Sequence, residues 1–255
     1  MAIIALKAWY LEQYEPIKNV IQRPCTLRLS RNSLLKTGLR VDFLNDRLEV
    51  EGSDWFQLYL AGKTIEFYIQ GSGSYVVSNI DLVSQEIYFT KCNSTSGLEP
   101  IIYFCPQNHY QAANTAIISA LENIIDKLTQ RSRVPLSLEI TPRTSESPLR
   151  ISNSQFRKIN KSLILIADVT PISHIAGEKK SKLLIDPNVC LELGYGIQHK
   201  DNGQILLLNM ERSDLDGEMP FDMAGYKQLS FKNSTQLANS LPKLVETLLQ
   251  RYSLF

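Results

Sequence analysis

Two uninterrupted apolar runs, Leu163-Ile164-Leu165-Ile166-Ala167 and Ile205-Leu206-Leu207-Leu208, stand on either side of a segment that reads as a helix. Together they leave the chain few folds to choose from. A strand with water on one face alternates in polarity, whereas a strand that is apolar at every position is covered on both faces, as in a parallel sheet between helices. The first run ends in Asp168 and the second in Asn209. Ligands of such sheets bind beyond the carboxyl ends of the strands, where the following helices begin. Asp168 is therefore expected at the rim of a crevice.

The intervening helix has a defined start. Asp186 suits the N-cap, and Pro187 suits the first helical position, where its missing N–H is not needed. Val189, Leu193 and Ile197 recur one turn apart and are read as its buried stripe. Glu192 is then an isolated acid in the first two turns, with Asn188 and Tyr195 beside it at helical spacing. A helical glutamate commonly points into water. A helix that opens on the crevice offers the other reading, a functional carboxylate with Asn188 and Tyr195 as ligand contacts.

The same alternation extends from Ile101 to the end. Strands are expected at Ile101–Cys105, Leu136–Ile140, Leu163–Asp168, Ile205–Asn209 and Gln228–Phe231. Helices fit Tyr110–Gln130, Ser152–Asn160, the Asp186 segment and Ser234–Gln250, with apolar residues at three- and four-residue steps in the two long ones. Strand–helix repeats with right-handed crossovers give a five-stranded parallel sheet with helices on both faces, the flavodoxin-like arrangement. Pro171–Ile185, with Lys179-Lys180-Ser181-Lys182, reads as a solvated connection or, alternatively, as lysines meeting a phosphate.

The first hundred residues differ. Thr26–Ser30 and Lys63–Gln70 alternate as half-buried strands, Tyr75–Val77 and Glu86–Thr90 continue the pattern, and Asp54–Leu60 is helical. An antiparallel meander or small barrel is expected here. Gly71-Ser72-Gly73 reads as a hairpin loop rather than a phosphate nest, because no helix and no closing lysine follow it. Trp9 and Trp55 read as core or interface aromatics, since no basic residues interleave with them. The polar segment Lys91–Pro100 holds the boundary, giving a β-rich domain at 1–98 and an α/β domain at 99–255.

Composition narrows the classes. The 255 residues are 44% hydrophobic, enough for packed cores, and the net charge of +1 comes from interspersed acids and bases. Neither nucleic acid nor an anionic membrane is implied as an obligatory partner. Cys25, Cys92, Cys105 and Cys190 lack metal-ligand spacing to each other and to His109, His174 and His199, so no metal is expected. With no signal peptide and no apolar stretch of roughly twenty residues, a cytoplasmic location is expected.

Ala167-Asp168-Val169-Thr170, Pro187-Asn188-Val189 running into Glu192-Leu193-Gly194-Tyr195, and Pro220-Phe221-Asp222 occur in the order found in bacterial TIR-like (Toll/interleukin receptor-like) proteins, which 99–255 resembles. Nucleoside deoxyribosyltransferases share a similar pattern of an acid followed by Glu. The resemblance implies the flavodoxin-like TIR fold and makes Glu192 the catalytic residue of an NAD-cleaving enzyme. Asp168 would orient it or a ribose hydroxyl, or else cap its own loop. NAD would be substrate, not cofactor, yielding nicotinamide and ADP-ribose or a cyclic ADP-ribose. Such enzymes act as antiviral effectors that form homo-oligomers on activation, and here the N-terminal domain would answer a small-molecule or protein trigger. A non-catalytic nucleotide-binding scaffold and a deoxyribosyltransferase-like enzyme are the alternatives.

Overall fold

The computed structural model describes residues 5–30, 38–92, 97–143, 152–177, 180–222 and 224–255. The chain divides into two compact units, Met1–Leu98 and Glu99–Phe255.

Unit 1 contains strands β1 (Ala5–Leu11), β2 (Leu27–Ser30), β3 (Gly38–Asp42), β4 (Glu66–Ile69), β5 (Gly73–Asp81) and β6 (Glu86–Lys91), with helices α1 (Ile17–Val20), α2 (Arg47–Glu51) and α3 (Asp54–Leu60). The antiparallel sheet runs β2-β1-β4-β5-β6-β3. Its two ends meet: Leu29 bridges Phe43, and the Leu44 N–H donates to the Arg28 carbonyl at 2.7 Å. The sheet is thus curled into a small barrel. Its apolar filling includes Leu27, Leu29, Phe67, Ile87 and Phe89, together with Val50, Trp55 and Phe56 from α2 and α3. Gly71-Ser72-Gly73 turns the chain from β4 into β5, with Gly73 opening β5 opposite Ile69, and positive φ at Gly71 (73°) and Gly73 (106°) explains both glycines. Trp9 and Trp55 are only 2% and 3% exposed, so of the two roles expected for them the structure assigns core and leaves neither indole ring on an outer surface.

Unit 2 contains β7 (Ile101–Cys105), α4 (Gln111–Arg131), β8 (Ser137–Ile140), α5 (Asn153–Lys161), β9 (Ile164–Asp168), β10 (Ser173–Ile175), β11 (Lys182–Leu184), α6 (Pro187–His199), β12 (Ile205–Met210), β13 (Lys227–Phe231) and α7 (Ser234–Leu249). The parallel sheet runs β13-β12-β9-β7-β8. Counted along the chain that is the order 2-1-3-4-5, whose reversal between β7 and β9 is the topological switch point, the place where ligands of such sheets bind. Every residue of β7 and β9 is buried, as continuous apolar runs require. No helix among the described residues is long and apolar enough to cross a membrane.

One expectation is refined and one corrected. The connection Pro171–Ile185 is largely exposed, as a solvated connection would be, and within it β10 and β11 pair as an antiparallel hairpin, Ser173 opposite Leu184, with the Leu183 N–H donating to the Glu218 carbonyl. These two three-residue strands are too short for an alternation signal. On α6 the buried residues are Val189, Glu192, Leu193 and Gly196, while Ile197 is 42% exposed. Gly196 causes the rotation. A Cβ there would stand 2.2 Å from Leu165 Cδ2, so the missing side chain lets α6 approach β9 on the Glu192 side and turns Ile197 outward.

Because the barrel and the parallel sheet each carry a core of their own, residues 99–255 expressed alone are expected to fold, unfolding cooperatively in thermal melts. A product lacking a cooperative transition would show that unit 2 depends on unit 1.

Candidate functional site

The carboxyl ends of β7, β8 and β9 deliver the polar side chains of unit 2. Beyond Cys105 the chain turns at Pro106-Gln107, and the Gln107 side chain is fully buried. Its Oε1 accepts from the His109 and Tyr110 backbone N–H groups, both at 2.7 Å, and its Nε2 donates to the Tyr110 carbonyl. One amide thereby satisfies the backbone of the loop that opens α4. Beyond β8, the buried Thr141 donates its hydroxyl to Tyr103 Oη at 3.1 Å.

Arg143 follows two residues later and is the side chain the sequence reading missed. Its Nη1 and Nη2 donate to Glu192 Oε1 and Oε2 at 2.9 and 2.6 Å, and its Nε donates to the Pro106 carbonyl at 2.8 Å. Both side chains of this bidentate pair are 5% exposed. Glu192 therefore faces inward, unlike an ordinary helical glutamate. Burial of an acid on that face was the available signal: it calls for a cation, and Arg143 is the basic residue that the end of β8 brings to the crevice. Cys105 lies close to the pair, and burial, with the Glu192 charge beside it, pushes its thiol well above the ordinary range.

Asp168 is wholly buried at the end of β9. One oxygen accepts from the Thr170 N–H at 3.0 Å, and Thr170 Oγ1 in turn accepts from the Met210 N–H. Burial pushes the carboxyl up to about 6, and the nearby Asp186 charge adds to the rise. The Thr170 and Gln107 side chains are close enough to oppose it, yet Oδ2 has no hydrogen bond of good geometry among the described residues. Asp186, 1% exposed, caps α6 by accepting from the Asn188 N–H at 2.8 Å, and its other oxygen is 3.6 Å from His109 Nε2. Asn188 is half-buried in that first turn. Tyr195 is placed differently: it stacks between Phe156 and His199, with ring centroids 4.4 and 4.1 Å away, and so is engaged by α5 and its own helix.

The opposite rim is fastened by Arg212. Its guanidinium donates to the Pro171 carbonyl at 3.0 Å, pairs with Asp214 and lies 4.4 Å over the Tyr110 ring. Beside it a cleft of about 550 Å³ is lined by Val169, Asn209 and the Met219–Asp222 segment. Asn209 Oδ1 is buried there without a hydrogen bond among the described residues. A larger shallow groove, about 870 Å³, runs between α4 and α7, but its lining has no titratable side chain; the chemistry is at the strand ends. Lys180 pairs with Glu218 on the exposed hairpin, and Lys179 lies outside the described residues. Most of Thr141–Pro148 is likewise undescribed. No group of three or more His, Cys, Asp or Glu among the described residues is arranged to hold a metal ion.

The Asp168 carboxyl has a measurable signature. Because its pKa is raised from 3.8 to about 6 on folding, the folded state holds that proton more tightly than the unfolded chain, so this stabilisation is complete below about pH 4 and is lost as pH rises through 6. Asp168→Asn removes the dependence. The Tm of the variant minus that of wild type should climb between about pH 4 and pH 7; parallel Tm profiles would show that Asp168 is not the titrating group.

No protein-family model and no curated protein matches the chain. Among solved structures it is similar to a flavodiiron core from Synechocystis sp. PCC6803 (13% identity, TM-score 0.36), of which it spans 36% with 62% of its own length. It is also similar to a CMP N-glycosidase from Clostridium botulinum (13% identity, TM-score 0.30, 55% of this chain and 96% of that one). A third is a diflavin flavoprotein A3 from Nostoc sp. (11% identity, TM-score 0.37, 60% of this chain and 94% of that one). At this level of similarity, function has to be read from the site itself.

Proposed function

We propose that unit 2 is a TIR-like enzyme that breaks an N-glycosidic bond in a nucleotide, with the nicotinamide–ribose bond of NAD as its target and Glu192 as the catalytic carboxylate. The observation that carries the reading is the placement of Glu192: a buried, ion-paired carboxylate on the first turns of the helix that opens on the switch-point crevice. Cleavage passes through an oxocarbenium-like ribose, which a carboxylate stabilises in a site that excludes water. Nicotinamide leaves with the bonding electron pair and so departs neutral, needing no general acid. Water then adds to the anomeric carbon and releases a proton to give ADP-ribose, or an adenine ring nitrogen of the same molecule attacks and the base loses a proton from its amino group to give a cyclic product.

On this reading the unit 1 barrel is a regulatory or assembly module that answers a small-molecule or protein trigger, and the chain acts as a homo-oligomeric antiviral effector. A binding scaffold is the competing reading, favoured by the closed Arg143–Glu192 pair, since such a pair also serves to fix a fold. The decisive assay incubates pure full-length protein, dilute and at high concentration, with NAD and separately with deoxynucleosides, following free base. Nicotinamide release supports the NAD reading, and base release from deoxynucleosides alone supports a transferase-like enzyme. No release in either case leaves the scaffold.

A further inference from the structure

Asp168, Asp186 and Glu192 are all buried in unit 2, with Asp186 close enough to raise the Asp168 carboxyl, and a phosphate approaching them without a counter-charge would meet repulsion. Among the described residues at the strand ends, Arg212 is occupied by Asp214 and the Pro171 carbonyl, His109 stands 3.6 Å from Asp186 with an exposed imidazole, and Lys180 stands out on the hairpin with Glu218. Arg143 is buried with its fork on Glu192, in the second turn of α6. A guanidinium has five N–H donors, and among the described residues three of Arg143's are used, one on Pro106 and two on Glu192.

That pairing creates a conflict. A carboxylate serves an oxocarbenium-like sugar through its net negative charge, and a guanidinium at 2.6 Å from Glu192 Oε2 cancels that charge. Phosphate competes for the same planar fork, presenting two oxygens in matching geometry. We propose that Arg143 exchanges partners: a substrate phosphate takes the guanidinium and frees the Glu192 carboxylate for the sugar. The exchange rests on the reading of Glu192 given above and names the residue by which the site would select nucleotides and dinucleotides over nucleosides. Arg143 is thus a specificity-determining residue, and the resting ion pair keeps the site silent until a phosphate arrives.

The test uses the full chain with ADP and adenosine as calorimetric probes. Wild type should bind ADP and not adenosine. Glu192→Gln, which removes the competing anion, should bind ADP about tenfold tighter or more, the worth of one charge-assisted contact. Arg143→Ala should lose ADP binding; Arg143→Lys, which keeps the charge but not the fork, guards against a folding failure and should bind ADP more weakly than wild type. In cleavage, kcat/KM for NAD should exceed that for nicotinamide riboside, with the ratio falling toward one in Arg143→Lys. A Glu192→Gln variant that binds ADP no tighter than wild type, or equal cleavage of NAD and the riboside by wild type, overturns the exchange. Tighter ADP binding without base release from any substrate would instead overturn the catalytic reading of Glu192 and leave the exchange standing.

Discussion

Glu192→Gln should lose NAD cleavage to background, a fall of about 10²- to 10³-fold or more if electrostatic stabilisation of the ribosyl cation is what the carboxylate supplies. The amide matches the carboxylate in volume and can still accept one hydrogen bond from Arg143, so α6 stays seated against β9. What disappears is charge. Because the amide also leaves the buried Arg143 guanidinium without its counter-ion, Tm should fall as well, but far-UV circular dichroism below that lower Tm should show a folded protein, while nicotinamide release at saturating NAD vanishes. A purified, folded variant that cleaves within a few-fold of wild type would remove Glu192 from the chemistry.

The second large effect is on stability. Arg143→Ala leaves the Glu192 carboxylate buried beside Cys105 with its counter-ion gone, and breaking one side of a buried pair costs about 3–5 kcal/mol. For a unit of this size that corresponds to a fall in Tm on the order of 10 °C. The double substitution Arg143→Met with Glu192→Leu should recover much of the loss, because removing both charges eliminates the desolvation cost as well as the attraction. Thermal melts of Arg143→Met, Glu192→Leu and the double make a cycle. If the singles and the double are all within 1 kcal/mol of wild type, the pair is not the anchor that its burial implies.

How much of this was legible follows from the range of the interactions. The strands β7, β9 and β12 and the start of α6 were readable, because continuous apolar runs and an Asp-Pro cap are local signals. The placement of Asp168 at a strand end came from the same source. Arg143 was not readable as a partner of Glu192: the two are separated by 49 residues, and each has an ordinary solvent-facing explanation in isolation. Nor was the rotation of α6 evident, since it depends on Leu165 filling the space that Gly196 leaves. In unit 1 the alternation announced β2 and β4, but the meeting of β2 with β3 is a property of the curled sheet and of no single segment. Tyr195 illustrates the opposite failure, a polar aromatic at helical spacing from Glu192 that a neighbouring helix claims for packing.

The Arg212 fastening gives the crevice a mechanical asymmetry. One guanidinium joins the connections after β7, β9 and β12 through Tyr110, Pro171 and Asp214, which ties these three segments to one another. The connection after β8 is clamped to α6 by the Arg143–Glu192 pair. A ligand that draws Arg143 away therefore releases a jaw on one side against an anvil on the other. Amide exchange in the bound state should then quicken around Thr141–Arg143 and stay slow around Tyr110 and Thr170.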